Sequence, residues 1–92
     1  MTDEEIKSAL ASIDGWVVME RDGISRLKKS FGFGNFANAM AFTIRVGELA
    51  EQDDHHPAIL TEWGKVTVNW WTHTNRGLSE NDFMMAAKVD AL

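Results

Sequence analysis

The chain has 92 residues, 45% hydrophobic and 25% charged, which predicts one globular domain over residues 1–92 and argues against disorder. Nine basic and fourteen acidic residues give a net charge of −5, so we expect no direct nucleic-acid partner, since phosphate contacts require a basic stripe. The lack of cysteine excludes disulfides, thiolate metal sites and cysteine nucleophiles. Because no apolar run approaches a membrane span and the acidic N-terminus is unlike a signal peptide, we expect a soluble, cytoplasmic protein.

The first part of the chain predicts a helix and then a β-hairpin. Thr2 and Glu5 have the spacing of a capping box, and apolar residues then recur at helical intervals, which predicts a helix over residues 3–13. An aspartate–glycine pair ends this helix. Strand-forming residues fill 16–21, and a second aspartate–glycine pair suits a hairpin turn, so residues 24–33 should return antiparallel.

The returning strand carries a cationic cluster formed by Arg26, Lys28 and Lys29. Such a cluster could be a local exception to the acidic character of the chain and contact phosphates. We interpret it instead as the solvated face of a strand.

A long helix is predicted over residues 36–51, with Asn35 as its N-terminal cap. One of its faces carries apolar or small residues at intervals of three and four, a pattern typical of packing against a sheet. The residues of this face are Phe36, Ala39, Met40, Thr43, Val46, Gly47 and Ala50. Phe42 and Leu49 add a second apolar patch, so we expect the helix to be covered on more than one side.

A second hairpin is predicted from residues 58–63 and 65–73, joined near Gly64. Alternation places Val66, Val68 and Trp70 on one side of its second strand. The other side carries Lys65, Thr67, Asn69 and Trp71. On this polar side, Trp71 could cap a pocket, stack on a flat ligand or fill a subunit contact.

A final helix follows, because Ser79 and Asp82 again have capping-box spacing. Its predicted inner face consists of Phe83, Ala86, Ala87 and Ala91. The element order α-β-β-α-β-β-α predicts an α+β fold with a single four-stranded antiparallel sheet covered by helices. The exposed sheet edges favour dimerisation edge to edge, or else through helices.

Two adjacent histidines stand in the stretch "EQDDHHPAIL", residues 51–60. Pro57 disfavours helical geometry at His56, so the long helix should end by about His55. One histidine then lies near a helix end and the other in an extended segment. We therefore expect the two rings to flank one cleft from different directions.

The third histidine, His73, closes the last predicted strand. If this strand pairs with the one that starts at Pro57, a turn near Gly64 returns His73 to the same end of the sheet as the histidine pair. All three histidines should then converge with Asp54 and Glu51.

The histidines allow three interpretations: a solvated corner, a metal site or an acid–base site. A tetrahedral metal site needs three or four nitrogen or carboxylate ligands, and adjacent residues rarely direct both rings at one ion. Imidazoles with carboxylate neighbours titrate near neutral pH and suit acid–base catalysis without a metal. Serine–histidine nucleophilic catalysis has little support, because no serine stands in a nucleophile elbow.

Four sequence elements together closely resemble the pterin-4a-carbinolamine dehydratase family, also known as the dimerisation cofactor of a hepatocyte homeodomain transcription factor. They are Glu51-x-x-x-His55-His56-Pro57, Trp63-Gly64-Lys65-Val66, Thr72-His73 and Gly77-Leu78-Ser79-x-x-Asp82. The resemblance implies a hydro-lyase that dehydrates 4a-hydroxytetrahydrobiopterin (pterin-4a-carbinolamine) to quinonoid dihydropterin. This reaction recycles the pterin of aromatic amino acid hydroxylases and requires no metal or organic cofactor.

The resemblance also implies residue roles. His55, His56 and His73 would surround the pterin as catalytic residues. Our own hypothesis makes His56 and His73 the acid–base pair and assigns His55 to holding the substrate. Glu51 and Asp54 would orient imidazoles or hydrogen-bond the pterin. The leaving C4a hydroxyl must gain a proton and N5 must lose one, and imidazoles can do both at neutral pH.

Further substrate contacts are implied at Trp71, Thr72 and Thr74, partly through backbone groups. Asp82 is also assigned to substrate binding, although a helix-cap role explains its spacing fully. The sequence departs from the family pattern at Trp71, where a small residue is common, and at Ile59, where an aromatic is frequent. These departures leave the side chain of the natural pterin open.

A different class of function stays open beside the enzyme. The chain could act as a protein-interaction module or dimerisation cofactor that uses its helix surface. The resemblance implies a homodimer or homotetramer and a functional link to an aromatic amino acid hydroxylase, with no direct nucleic-acid or membrane partner.

Overall fold

The computed structural model describes residues 1–74 and 77–92, which form three helices and one four-stranded antiparallel sheet. The elements are α1 (Asp3–Leu10), β1 (Val17–Arg21), β2 (Ile24–Gly32), α2 (Phe36–Asp53), β3 (Ala58–Glu62), β4 (Lys65–Trp70) and α3 (Glu80–Asp90). The strands are arranged in the order β1-β2-β4-β3. The predicted α+β fold and its element order are therefore confirmed. Each helix in the described residues is too short or too polar to cross a membrane.

Helix α1 begins as predicted but ends early. The capping box is present, with Thr2 and Glu5 each bonding the other's backbone amide. The hydrogen bond that the Thr2 amide donates to the Glu5 carboxylate lowers the pKa of this carboxyl. The sequence predicts a helix that reaches residue 13. The helix stops at Leu10 because the next turn tightens to three-residue bonds, with the Ser12 amide donating to the Ala9 carbonyl.

The core lies between the sheet and the helices α2 and α3. The predicted inner side of β4 is correct, since Val66, Val68 and Trp70 are fully buried. Leu27 of β2 lies on the same side and is also fully buried. The opposite side of the sheet carries no helix in the described residues and is called the open face below.

The predicted inner face of α2 is partly wrong. Phe36 and Met40 are exposed, whereas Phe42 is buried against Phe31 and Phe33, at ring-centroid distances of 4.8 and 5.1 Å. The buried residues are Ala39, Phe42, Val46 and Ala50. Their spacing also fits a helical stripe, so the helix has two apolar stripes and only one packs on the sheet.

The predicted inner face of α3 is also partly wrong. Phe83 and Ala86 are buried as expected, but Ala87 and Ala91 are exposed. The buried residues of this helix are Asp82, Phe83, Met85, Ala86 and Val89. The buried stripe of α3 therefore lies closer to the N-terminus of the helix than the predicted stripe, because the helix buries its capping carboxylate instead of its C-terminal alanines.

The cationic cluster does not form one solvated face. Lys29 lies on the helix side, where its ammonium group is 2.8 Å from both the Asp90 carboxylate and the Asp14 carbonyl oxygen. The Trp16 indole N–H donates to the same Asp90 carboxylate at 2.9 Å. Alternation places Arg26 and Lys28 on the open face instead.

The β3–β4 hairpin fixes the register that places the histidines. Ala58 pairs with Asn69 and Glu62 pairs with Lys65, so the chain turns at residues 63–64. Gly64 is in close contact with the loop after β2, since its carbonyl accepts a hydrogen bond of 2.8 Å from the Phe33 amide.

We expect alanine substitutions at two glycines to change stability in opposite directions. A Cβ at Gly64 would lie 2.9 Å from the Phe33 carbonyl oxygen, so Gly64→Ala should lower the free energy of unfolding by about 1 to 3 kcal/mol. Gly47 lies inside α2, where an added Cβ would meet nothing within 4 Å, so Gly47→Ala should raise it by about 0.5 to 1 kcal/mol. Urea denaturation of both variants tests this, and a neutral Gly64→Ala would contradict the predicted clash.

Candidate active site

The elbow between α2 and β3 begins with a residue in the left-handed backbone conformation. Asp54 caps α2 with φ 50° and ψ 44°, a conformation that aspartate tolerates better than most residues. The His55 amide then bonds back to the Ala50 carbonyl at 3.1 Å, which satisfies an otherwise free helix carbonyl. Pro57 follows directly before β3. The helix therefore ends just before the histidine pair, as the proline predicted.

The first histidine of the pair is held in a half-buried pocket below the sheet end. The His55 ring lies parallel to the ring of Trp70, with centroids 5.5 Å apart and an interplanar angle of 5°. Its Nε2 lies 2.6 Å from Oδ1 of Asp82, and its side chain is 15% exposed. Contact on one ring face and at one nitrogen fixes the orientation of this imidazole.

The second histidine points to solvent, as expected for adjacent residues at a strand start. The His56 side chain is 53% exposed, and its Nε2 contacts Oε2 of Glu51. Glu51 lies on the last turn of α2, one turn before the elbow. A carboxylate at this position orients the ring.

Asp82 connects the first histidine to two other parts of the chain. Its side chain is completely buried. Oδ2 accepts hydrogen bonds from the Thr72 hydroxyl at 2.8 Å and the Ser79 amide at 2.9 Å. The Thr72 and Ser79 hydroxyls also contact each other at 2.6 Å. The carboxylate thus caps α3, as its spacing predicted, and at the same time holds Thr72 and His55.

A cavity of about 360 Å³ opens beside these groups. Its lining consists of Asp54, His55, His56, Thr72, His73 and Thr74. The predicted convergence of the three histidines is therefore present, together with three of the other six predicted site residues. The Thr72-His73-x-x-x-Gly77 motif is described except at positions 75 and 76, which lie outside the described residues.

The remaining predicted site residues lie around this cavity. Glu51 reaches it through His56, and the ring of Trp71 lies 5.0 Å from the ring of His73. Asp82 lies beneath His55 and is fully buried, so it acts on the cavity through the residues that it holds.

Two residues that support the site were not predicted as part of it. Trp70 was expected in the core, where it is, but its stacking under His55 depends on the register between β4 and the elbow. Ser79 was expected only as a helix cap. Its hydroxyl contact with Thr72 depends on how α3 packs against the sheet end.

The donor groups of the site are arranged in pairs. The imidazoles contact carboxylates one to one, His55 with Asp82 and His56 with Glu51. In residues 1–74 and 77–92, no group of three or more histidine, aspartate or glutamate side chains has an arrangement that could hold a metal ion.

Comparison with known families shows which family the chain belongs to. The family model described as pterin 4 alpha carbinolamine dehydratase matches residues 1–92. The chain belongs to the pterin-4a-carbinolamine dehydratase family. The histidine cavity of this family member is therefore its candidate active site.

Similar sequences carry the same family name. A protein of Vibrio cholerae serotype O1 (strain Classical Ogawa 395), named provisionally as a pterin-4-alpha-carbinolamine dehydratase, is 54% identical over 92 residues; the match covers all of this chain and 84% of the relative. A protein of Microcystis aeruginosa with the same provisional name is 57% identical over 90 residues, which covers 98% of this chain and 78% of the relative.

Two solved structures share the fold. The crystal structure of a transcriptional coactivator/pterin dehydratase from Brucella melitensis matches with a TM-score of 0.87 and 35% identity, covering 99% of this chain and 95% of the other. A pterin dehydratase-like protein, described as a RuBisCO assembly factor in the alpha-carboxysome, matches with a TM-score of 0.69 and 28% identity. That match covers 84% of this chain and 87% of the other.

Asp82 should contribute strongly to stability. Asp82→Ala removes the α3 cap and leaves the Thr72 hydroxyl and the His55 ring without their acceptor, so we expect a loss of about 2 to 4 kcal/mol in the free energy of unfolding. Asp53→Ala is the matched control, because it removes a carboxylate that pairs with Lys88 near the surface and should cost less than about 1 kcal/mol. Equal losses in urea denaturation would contradict the role given to Asp82.

Proposed function

We propose that this family member dehydrates 4a-hydroxytetrahydrobiopterin to quinonoid dihydropterin and water. The observation that carries the proposal is the convergence of three imidazoles on one open cavity at the end of the sheet. Membership of the pterin-4a-carbinolamine dehydratase family supports the substrate class. The tetrahydropterin is the substrate here, and the proposed reaction uses no other organic cofactor and no metal.

The reaction needs one proton donor and one proton acceptor. The C4a–O bond breaks as the hydroxyl takes a proton and leaves as water, while N5 loses its proton and the C4a–N5 double bond forms. The acid gives one proton and the base takes one, so the pair returns to its starting state after a proton exchange with solvent. We assign these tasks to His56 and His73, whose exposed rings line the cavity and can exchange protons with water. Glu51 orients His56 through their contact.

His55 has a different task in this proposal. Its ring is fixed by Trp70 and Asp82, so it offers a stationary hydrogen-bonding group for the pterin. A carboxylate only accepts hydrogen bonds, so Nε2 of His55 carries the shared hydrogen. Asp82 then acts as a positioning residue through His55, while Asp54, Thr72 and Thr74 contact the substrate.

The proposed reaction places the protein after an oxygen-dependent hydroxylation. Aromatic amino acid hydroxylases release the 4a-hydroxy form of their pterin, and dehydration is the step that allows its reduction and reuse. The proposed recycling role is therefore linked to such a hydroxylase in function.

The histidine assignments predict distinct kinetic defects. His56→Ala and His73→Ala should each lower kcat by about 10² to 10⁴-fold, the usual contribution of a positioned acid or base. His55→Ala should mainly raise KM, because it removes a fixed substrate contact. Stopped-flow absorbance with synthetic 4a-hydroxytetrahydropterin, corrected for uncatalysed dehydration, measures both parameters.

Trp63→Ala is the matched control for these variants, because this ring is 69% exposed and lies at the opposite end of the same hairpin. It should leave both kinetic parameters unchanged. Unchanged turnover in His56→Ala and His73→Ala would refute the assignment of the acid–base pair. Loss of activity on treatment with EDTA, restored by a divalent cation, would favour a metal-assisted reaction instead.

A second candidate function uses the surface of α2. Phe36, Met40 and Ile44 lie one turn apart on this helix and are 48%, 37% and 56% exposed. Three large apolar side chains in a row on a solvent-facing stripe are typical of an interaction surface. We propose that this stripe forms a homodimer or homotetramer contact, or binds another protein. The relative described as a RuBisCO assembly factor supports an interaction role within this fold.

The stripe can be tested separately from the cavity. Met40→Glu and Ile44→Glu should shift sedimentation in analytical ultracentrifugation to a smaller species, because a carboxylate would be buried at the contact. Asn38→Glu adds the same charge at an exposed position on a different side of the helix and should not change the assembly. A monomeric wild type, or equal effects of all three substitutions, would contradict this use of the stripe.

A further inference from the structure

A second cavity, of about 350 Å³, lies on the open face of the sheet. Three cationic side chains line it, Arg21 from β1 and Arg26 and Lys28 from β2, and no acidic residue does. None of the three forms a salt bridge with a described residue. This is unusual in a chain whose fourteen acidic and nine basic residues give a net charge of −5. A concentration of unneutralised cations in an acidic protein creates a local site for anions.

Arg26 is the most constrained of these cations. Its guanidinium carbon lies 4.1 Å from the centroid of the Trp71 ring, in a cation–π contact. Its Nε is buried and has no hydrogen-bond partner among the described residues. A freely hydrated surface arginine would neither contact an indole ring nor bury its Nε. The position of Arg26 therefore differs from that of such an arginine.

The cationic cavity and the histidine cavity have no lining residue in common, but neighbouring parts of the chain line them. Trp71 lies near residues of both, since the Arg26 guanidinium carbon is 4.1 Å and the centroid of the His73 ring is 5.0 Å from the centroid of its ring. Asn69 lines the cationic cavity two residues before Trp71 on the same side of β4. Ala58 lines it two residues after His56. Because Arg26 and His73 both lie close to the Trp71 ring, a single ligand of pterin size with a side chain can reach both.

We propose that the cationic cavity binds an anionic tail on the pterin whose ring occupies the histidine cavity. The chemical class is a pterin with a phosphate or carboxylate group at the end of its side chain. Guanidinium matches either group with two parallel hydrogen bonds, and Lys28 and Arg21 add charge. Met19 and Leu60 line the same cavity and provide apolar contact for the linking atoms. This inference rests on the proposed function for the position of the ring.

Trp71 has a defined role in this arrangement. The family pattern has a small residue here, and a large indole supports Arg26 at the junction of the two cavities. The departure from the family pattern at Trp71 therefore contributes to the selection of the pterin side chain.

Equilibrium binding of matched pterin pairs tests the inference. Isothermal titration calorimetry would compare 6-hydroxymethylpterin with its phosphate ester, and pteroylglutamate with its dimethyl ester. We expect the anionic member of at least one pair to bind about tenfold more tightly than its neutral partner, as for a charge-assisted hydrogen bond. A preference in the first pair alone identifies a phosphorylated tail, and one in the second pair alone identifies a carboxylate tail.

Arg26→Gln combined with Lys28→Gln should remove this preference and leave the affinity for the neutral members unchanged. The unchanged neutral affinity also shows that the variant is folded. Lys65→Gln is the matched control, because Lys65 is a sheet lysine that pairs with Glu62 and lies outside the cavity. It should keep the preference.

Equal affinities within both pairs in the wild type would overturn the inference, as would a preference that survives in the double variant or an absence of pterin binding. Failure of the proposed function gives a different result. A wild type that prefers the anionic pterins but does not accelerate dehydration would retain the subsite and refute the dehydratase. One that accelerates dehydration without a preference would do the reverse.

Discussion

The buried carboxylate of Asp82 is the interaction on which both the fold and the candidate site depend. It accepts hydrogen bonds from the Ser79 amide at the start of α3 and from the Thr72 hydroxyl after β4. It also contacts His55 in the elbow between α2 and β3. A carboxylate with no exposed surface is expensive to desolvate unless every partner is in place. The same three contacts that offset this cost also bring the end of the sheet, the last helix and the histidine elbow together. Stability and site geometry therefore cannot be changed independently at this residue.

Two pairs of adjacent like residues lie in different environments in this structure. His55 lies under the sheet end against Trp70, whereas His56 faces solvent beside Glu51. Lys29 is bound to Asp90 on the helix side, whereas Lys28 lines the open-face cavity. Lys29 and His55 are held by buried or partly buried partners, whereas Lys28 and His56 lie on accessible surfaces that line cavities.

The sequence predicts correctly those features that follow from counting residues along the chain. The convergence of His73 with the histidine pair follows from an antiparallel hairpin turning near Gly64, and the observed turn agrees. The predicted strand was too long, however, since β4 ends at Trp70 and does not reach His73. The packing face of α2 did not follow, because Phe36 and Phe42 belong to two stripes that fit a helical period equally well. The contact between His55 and Asp82 joins residues 27 positions apart and depends on the docking of α3, which no local pattern encodes.

The candidate active site and the proposed interaction surface occupy different parts of this molecule, so the two proposed functions do not compete for the same residues. The histidine cavity lies at the end of the sheet, whereas the exposed stripe of Phe36, Met40 and Ile44 runs along the outer side of α2. Likeness in fold to a RuBisCO assembly factor is thus no argument against an enzyme here, because function follows the site and not the scaffold. The three histidines, with a carboxylate against each of the paired ones, are the features that favour the enzyme in this chain.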